Sequence, residues 1–390
     1  MRFGCAISEE SDSLAAIDAV IGDVVESGLQ KADVVFVFLT AAHTGQAEEI
    51  LQKVQEGLSP GCLIGASAEG VIGSDREVER STGLALLAGD LDGASFKSFH
   101  FGRDDWRRLL MEDDALSEAL GYSDQTRAFI GFGDPYSTPL RQLLEKLESK
   151  CPQLPLIGGM ASSGRSPGEN VLLRDDQVLD QGFVGISLSG PIDVQTVVSQ
   201  GCRPVGHPVV VTKAHENVIE QIAGRPALQV LQEIVDTMPR EEQQLLRNGL
   251  YIGRAIDEYR ESWSRGDFLV RNVMGMEQAT GGIGITDLVR AGQTVQFHVR
   301  DAATAEEDLR LLLEEQKKQD APAGGLLFNC NGRGTRMFSK PCHDISATRA
   351  ILPQTPIAGF FAAGELGPVG RRNFIHGHTA SFALFRPGRD

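Results

Sequence analysis

Several patterns that would settle a function outright are missing from this chain. No apolar run reaches the length of roughly 18 to 20 residues that a membrane helix needs, which excludes a helical span. The six cysteines, Cys5, Cys62, Cys151, Cys202, Cys330 and Cys342, lie far apart and form no Cys-x-x-Cys pair. That speaks against a disulfide framework and for reduced thiols in a cytoplasm. There is no His-Glu-x-x-His, no Walker loop and no Gly-x-Gly-x-x-Gly. The stretch nearest to a nucleophile elbow, Gly65-Ala-Ser-Ala-Glu69, has Glu69 where the last Gly belongs. Basic residues are scarce, 37 against 53 acidic ones, for a formal charge of −16. Such a balance repels phosphate backbones and anionic lipid, so neither nucleic acid nor a membrane is expected as a partner. The N-terminus turns acidic at Glu9, Glu10 and Asp12, where a signal peptide needs an apolar core.

What is present is a repeat. The chain reads Leu63-Ile-Gly-Ala-Ser-Ala-Glu-Gly70, then Leu156-Ile-Gly-Gly-Met-Ala-Ser-Ser-Gly164, then Ile357-Ala-Gly-Phe-Phe-Ala-Ala-Gly364. Ala stands third after the first Gly in all three, at Ala68, Ala161 and Ala362. A repeated supersecondary unit is first a statement about architecture. The 390 residues are too many for one ordinary core, so two domains are expected. A hydrophobic share of 41% and a charged share of 23% are those of a soluble globular protein.

The elements around the motifs recur in the same order. Residues 11–29 and 47–58 have helical spacing, and Val34 to Leu39 is a continuous apolar run of the kind covered on both faces. Residues 84–87 and 94–101 read as a hairpin turning at Gly89-Asp-Leu-Asp-Gly93. Arg127 to Gly133 reads as a strand and Leu140 to Leu147 as a helix, and strands at 183–188 and 194–199 follow the second motif. The third pass is a strand at 325–330, a helix near 343–352, the motif, and a strand at 379–385. Between the second and third passes lies a different stretch. It has a helix at 226–237, strands at 249–255 and 268–273, a hairpin of 281–285 with 294–299, and an amphipathic helix at 301–318. A domain boundary is expected near Gly224, giving domains 1–223 and 224–390.

The chain resembles the two-part FIST sensory module. The residues that carry the resemblance are Gly61-Cys-Leu-Ile-Gly-Ala-Ser-Ala-Glu-Gly70 and Pro155-Leu-Ile-Gly-Gly159 in the first half. In the second half they are Val299-Arg-Asp301, Phe328-Asn-Cys-Asn-Gly-Arg-Gly334, the run from Pro356 to Val369, and Asn373-Phe-Ile-His-Gly-His-Thr-Ala380. Order and spacing together are specific over roughly residues 30 to 385. The resemblance implies FIST N-like and FIST C-like halves and an intracellular, signal-transducing role. It also implies a small ligand, an amino acid or related metabolite; the cleft for it is expected where the halves meet, a common place for small-molecule sites. No kinase, cyclase or F-box segment accompanies the module, so output would pass through a separate protein partner.

Candidate ligand residues follow the strands, because open α/β sheets gather ligands at strand carboxyl ends. In Asn329-Cys330-Asn331-Gly332-Arg333-Gly334 the Asn-Gly step signals a turn, and Arg333 suits bidentate carboxylate recognition. Glu365, directly after the third motif, suits an ammonium or a backbone N–H, and Glu69, Ser67, Ser162 and Ser163 decorate the other two motifs. Asn373, His376 and His378 close the set; two His flanking one Gly on a strand would share a face. For each the structural alternative is a tight turn, a cap or a packed side chain.

The expected fold is α/β. Two domains are built from repeated strand–helix–strand–hairpin units, with sheets stacked face to face and helices outside as one compatible arrangement. The function expected is a cytoplasmic small-ligand sensor with no cofactor and no bound metal. Two alternatives stand beside it. One is an enzyme using Cys330 or a metal held by His376, His378 and a third ligand such as Glu365 or His343; the other is a protein-interaction scaffold. The three glycines are read as close packing at strand ends, with function in what the copies do not share.

Overall fold

The computed structural model describes residues 1–246, 249–260, 263 and 266–388. The chain divides into two compact units, one of residues 1–198, 309–375 and 379–390 and one of 199–308 and 376–378.

The first unit opens with β1 (Arg2–Ser8), α1 (Ser13–Glu26), β2 (Val34–Thr40), α2 (Ala47–Leu58), β3 (Cys62–Ala68), the short pair β4 (Gly70–Ile72) and β5 (Glu77–Glu79), and β6 (Leu84–Asp90). The pattern returns as β7 (Ser95–Phe101), α3 (Trp106–Met111), α4 (Ala115–Leu120), β8 (Thr126–Gly133), α5 (Leu140–Lys150), β9 (Leu156–Met160), β10 (Leu172–Arg174), β11 (Gln177–Leu179) and β12 (Phe183–Ser189). The third pass begins at β13 (Ile192–Gln200). The chain then runs through β14 (Cys202–His215), β15 (Val218–Ile222), β16 (Arg225–Pro226), α6 (Ala227–Thr237), α7 (Arg240–Leu245), β17 (Leu250–Ala255), β18 (Phe268–Glu277), β19 (Gly282–Ile285), β20 (Thr294–Arg300) and α8 (Ala302–Lys317). It closes with β21 (Gly324–Cys330), α9 (His343–Ile351), β22 (Ile357–Ala362), β23 (Glu365–Val369), β24 (Arg372–His376) and β25 (Thr379–Pro387).

The first unit holds three six-stranded sheets, ordered β1-β6-β2-β3-β10-β11, β7-β12-β8-β9-β23-β24 and β13-β25-β21-β22-β4-β5. Each motif strand therefore carries on its far side a hairpin from another repeat. The β4–β5 hairpin of the first repeat sits on β22 of the third, β10–β11 of the second on β3 of the first, and β23–β24 of the third on β9 of the second. The exchange closes a ring with approximate three-fold symmetry. At each seam one hairpin residue accepts the amide of the neighbour's motif strand at the same motif position. Asp175 takes Leu63 N (3.1 Å), Asn373 takes Leu156 N (2.8 Å) and Ser74 takes Ile357 N (2.9 Å).

Burial explains why the strands read as they do. All seven residues of β2 are buried. Val34, Phe36 and Phe38 face a core shared by all three repeats, and Val35, Val37 and Leu39 face a second core under α1 and α2. Helices of the second and third repeats cover their own outer cores. Three sheets thus face one another with helices outside. Phe38, Phe132 and Phe328, at equivalent places on β2, β8 and β21, meet at the centre with ring centroids 5.4 to 6.3 Å apart, and Phe360 packs on all three.

The motif glycines have one shared duty. A Cβ on Gly65, Gly158 or Gly359 would lie 2.2, 1.8 or 1.7 Å from the carbonyl oxygen of Val37, Gly131 or Leu327, its register partner on the neighbouring parallel strand. No side chain fits there.

Two expected hairpins are corrected. The Gly89–Gly93 turn joins β6 to β7, which belong to different sheets, so it hands the chain from one repeat to the next. In the second unit β19 pairs with β18 and β15, not with β20. That unit is a closed antiparallel barrel. The long β14 pairs with β20 through its first half and with β15 through its second, completing the circuit β14-β20-β17-β18-β19-β15. Its core includes Val205, Ile219, Ile252, Ile283 and Phe297.

Candidate functional site

The residue following the shared Ala differs in each motif: Glu69, Ser162 and Ala363. In the first unit these three equivalent positions line one cleft of about 380 Å³, together with Tyr136, Ser163, Arg165, Asn331 and Arg336 among others. The ring closure explains the convergence, since each residue lies just beyond a motif strand at the carboxyl ends of the parallel pairs. A volume of this size falls within the range of small-molecule sites, roughly 300–1,000 Å³.

Glu69 is where the three repeats join. Its amide donates to Ser162 Oγ at 2.9 Å, and that hydroxyl donates in turn to the Phe361 carbonyl at 2.5 Å. Its carboxylate takes both Arg336 Nη1 (2.8 Å) and Nη2 (2.5 Å), a bidentate pair that is partly exposed. Arg336 Nη1 also donates to the Asn331 carbonyl at 2.7 Å. A second polar chain leads from the cleft into the interior. Ser163 Oγ donates to the buried Ser67 Oγ at 2.6 Å, which also accepts the Val171 amide at 2.7 Å. The same loop is pinned by Asn170, whose Nδ2 donates to Asp134 Oδ1 at 3.0 Å while its Oδ1 accepts Gly164 N at 2.8 Å. Arg165 has no ion-pair partner among the described residues, and Asn331 Oδ1 is a buried acceptor with no hydrogen-bond donor among them.

Residues 33–225 match the FIST N domain and residues 227–368 the FIST C domain. The chain belongs to the FIST family. FIST domains are sensory domains of signal transduction, which is the general role this membership carries. An uncharacterised protein of Mycobacterium tuberculosis strain H37Rv is 40% identical over 391 residues, covering 99% of this chain and 100% of the relative. One of Mycobacterium bovis is 38% identical over 392 residues, covering 99% of each. Among solved structures, a cyanuric acid hydrolase from A. caulinodans aligns over 100% of this chain and 99% of its own, with 9% identity and a TM-score of 0.36. A likeness that low carries no argument.

Of the residues marked in this FIST sequence, Glu69, Ser162, Ser163 and Asn331 line the cleft, and Ser67 supports it from below. Arg333 does not reach it. It is fully buried and bidentate to the equally buried Asp344 at 2.8 Å on both sides, with its guanidinium 5.3 Å over the Phe338 ring. The Asn-Gly turn is real, but it aims the guanidinium inward, where the first turn of α9 supplies a carboxylate. The cleft is lined instead by Arg336, three residues later, and by Arg165; both were missed, although each is a charge just beyond a glycine turn.

Glu365 is fully buried, and its Oε2 accepts Thr379 N (3.2 Å) and Oγ1 (2.7 Å). Burial pushes its pKa up to about 8, against hydrogen bonds from Thr379 and the Cys330 thiol that lower it. Glu365 is thus a mostly protonated acid inside the FIST ring rather than an exposed ammonium receptor. Cys330 has this carboxyl beside it. Asn329 is fully buried with neither side-chain heteroatom hydrogen-bonded among the described residues. Asn373 is occupied at the seam, accepting Leu156 N and donating to Leu154 O at 2.8 Å.

His376 and His378 belong to the second unit, where the His378 ring lies edge-on to Tyr251 at 4.7 Å. They do not share a strand face, because β24 ends at His376 and His378 turns through a left-handed conformation with φ of 63°. Among the described residues no three His, Cys, Asp or Glu side chains come together as a metal set, and no helix is long and apolar enough to cross a membrane.

Proposed function

We propose that this FIST chain is a cytoplasmic sensor that binds a small polar ligand, an amino acid or related metabolite, in the axial cleft. The signal passes to a separate protein partner. The observation that carries the reading is the cleft itself. Three equivalent positions that bear different side chains meet there, beside an acceptor, Asn331 Oδ1, that no described donor satisfies. Arg165 and Arg336 offer guanidinium groups to a carboxylate, and Glu69 offers a carboxylate to an ammonium, an arrangement suited to a zwitterion. The walls come from both sides of residue 224, so the site fits a ligand held jointly by the proposed FIST N and FIST C halves.

The test is a thermal-shift screen of amino acids and related metabolites against the intact chain. A ligand at 100 times its dissociation constant stabilises by about 2.7 kcal/mol. Arg165→Ala and Arg336→Ala are expected to weaken the best hit by tenfold or more each. Full retention of binding in both variants contradicts the site.

A further inference from the structure

The ring has three seams, and among the described residues one of them is tied by an ion pair that also walls the cleft. Glu69 stands one residue before β4, and its carbonyl accepts Arg80 N at 3.1 Å, closing the base of the β4–β5 hairpin. Its carboxylate grips Arg336 in the loop that leads from β21 to α9 of the third repeat. The rest of the hairpin is fastened by two glutamate side chains, one to that same loop and one to the first turn of α9. Glu79 accepts Thr335 N at 3.0 Å and its hydroxyl at 2.9 Å, and Glu77 accepts Ile345 N at 2.9 Å. The backbone ladder beneath is short, with two register pairs between β4 and β22. At the other two post-motif positions, Ser162 and Ala363 have no charge with which to do the same.

We propose that the axial cleft is wired to this seam alone. An anionic ligand that recruits Arg336 takes it from Glu69 and loosens the β4–β5 hairpin on the third repeat. The hairpins β10–β11 and β23–β24 stay in place. The ligand step rests on the sensory reading above, whereas the latch itself does not. The direction follows from competition: one guanidinium edge cannot be bidentate to two carboxylates at once, and Glu69 is the partner already in place. Loosening one hairpin of three gives the ring a local, low-energy opening of the kind that sensory proteins draw on.

Amide hydrogen exchange on the full chain decides it. In Glu69→Gln, which keeps the shape and removes the charge, and in Arg336→Gln, amides of residues 70–80 are expected to exchange about two- to fivefold faster, the upper part of the range for a partly exposed ion pair. Segments 172–179 and 365–376 are expected to keep their wild-type rates. Glycine, L-glutamate and succinate serve as probes, and any that raises the melting temperature is expected to accelerate 70–80 in the wild type as the variants do. Unchanged exchange at 70–80 in both variants, or equal acceleration of all three hairpins, overturns the latch. A stabilising probe that leaves 70–80 at its free rate overturns the wiring while leaving the sensory reading intact. If no probe stabilises the protein, the ligand reading and the ligand step fail together, and the variants still decide the latch.

Discussion

The Ser162 hydroxyl accepts the Glu69 amide at 2.9 Å and donates its own hydrogen bond to the Phe361 carbonyl, so one side chain joins the ends of all three motif strands. Replacing it with Ala leaves two polar backbone groups without their partner next to the cleft. Ser162→Ala is expected to cost about 1–3 kcal/mol, read as a lower denaturant midpoint with an unchanged m-value.

The motif glycines set a steeper test. Gly359→Ala places a methyl 1.7 Å from the Leu327 carbonyl oxygen, among strand residues that are all buried but Cys330. The backbone must part there, and a loss of about 3 kcal/mol or more is expected. Gly22, exposed in α1 with nothing within 4 Å of the added methyl, is expected to gain up to about 1 kcal/mol on becoming Ala. Thermal melts of the two variants are expected to move in opposite directions.

Arg333 and Asp344 separate a structural role from a ligand role. Arg333→Met strips the fully buried Asp344 carboxylate of its bidentate partner and leaves it the His343 ring at 3.1 Å, a loss of about 3–5 kcal/mol. Titration of any cleft ligand against the folded fraction is expected to give wild-type affinity.

Stability is expected to fall with rising pH between about 6.5 and 8. Burial pushes Glu77 up to about 8, helped by the nearby Asp344 charge, and burial does the same to Glu365. An unfolded glutamate ionises near 4.5, so between 4.5 and 8 the native state holds protons that the unfolded state has released. Their contribution is whole below 4.5, declines through this window and is gone above about 8. Below 6.5 an opposing slope enters, since burial holds His298 down to about 4 and its protonation disfavours the fold. The upper window is therefore the clean one. Glu77→Gln with Glu365→Gln is expected to flatten it in denaturant melts at pH 6.5, 7.25 and 8, the wild type losing on the order of 1 kcal/mol per carboxyl.

Much of the fold is legible in the sequence. The run from Val34 to Leu39 announces a strand covered on both faces, and it is flanked by an inner and an outer core. The 47–58 helix and the recurrence of the glycine motif are equally plain. The exchange of hairpins is not. β4, β5, β10 and β11 have three residues each, too few to show a period, and β4 finds its partner β22 about three-quarters of the chain away. The site divides in the same way. What the motif copies do not share is a local property of the sequence, and the cleft-lining positions Glu69, Ser162 and Ser163 follow from it. Arg333 fails because its fate depends on Asp344, which the chain folds back to meet it.

The most direct test of the account blocks the cleft without touching its charges. Ala363 lines it and carries only a methyl group, so Ala363→Phe puts a ring where the ligand is placed. Thermal shift across a panel of small polar metabolites is then compared between wild type and variant. The account predicts at least one compound that raises the melting temperature of the wild type and leaves that of Ala363→Phe unmoved. A panel with no hit, or a hit that stabilises both proteins equally, contradicts it.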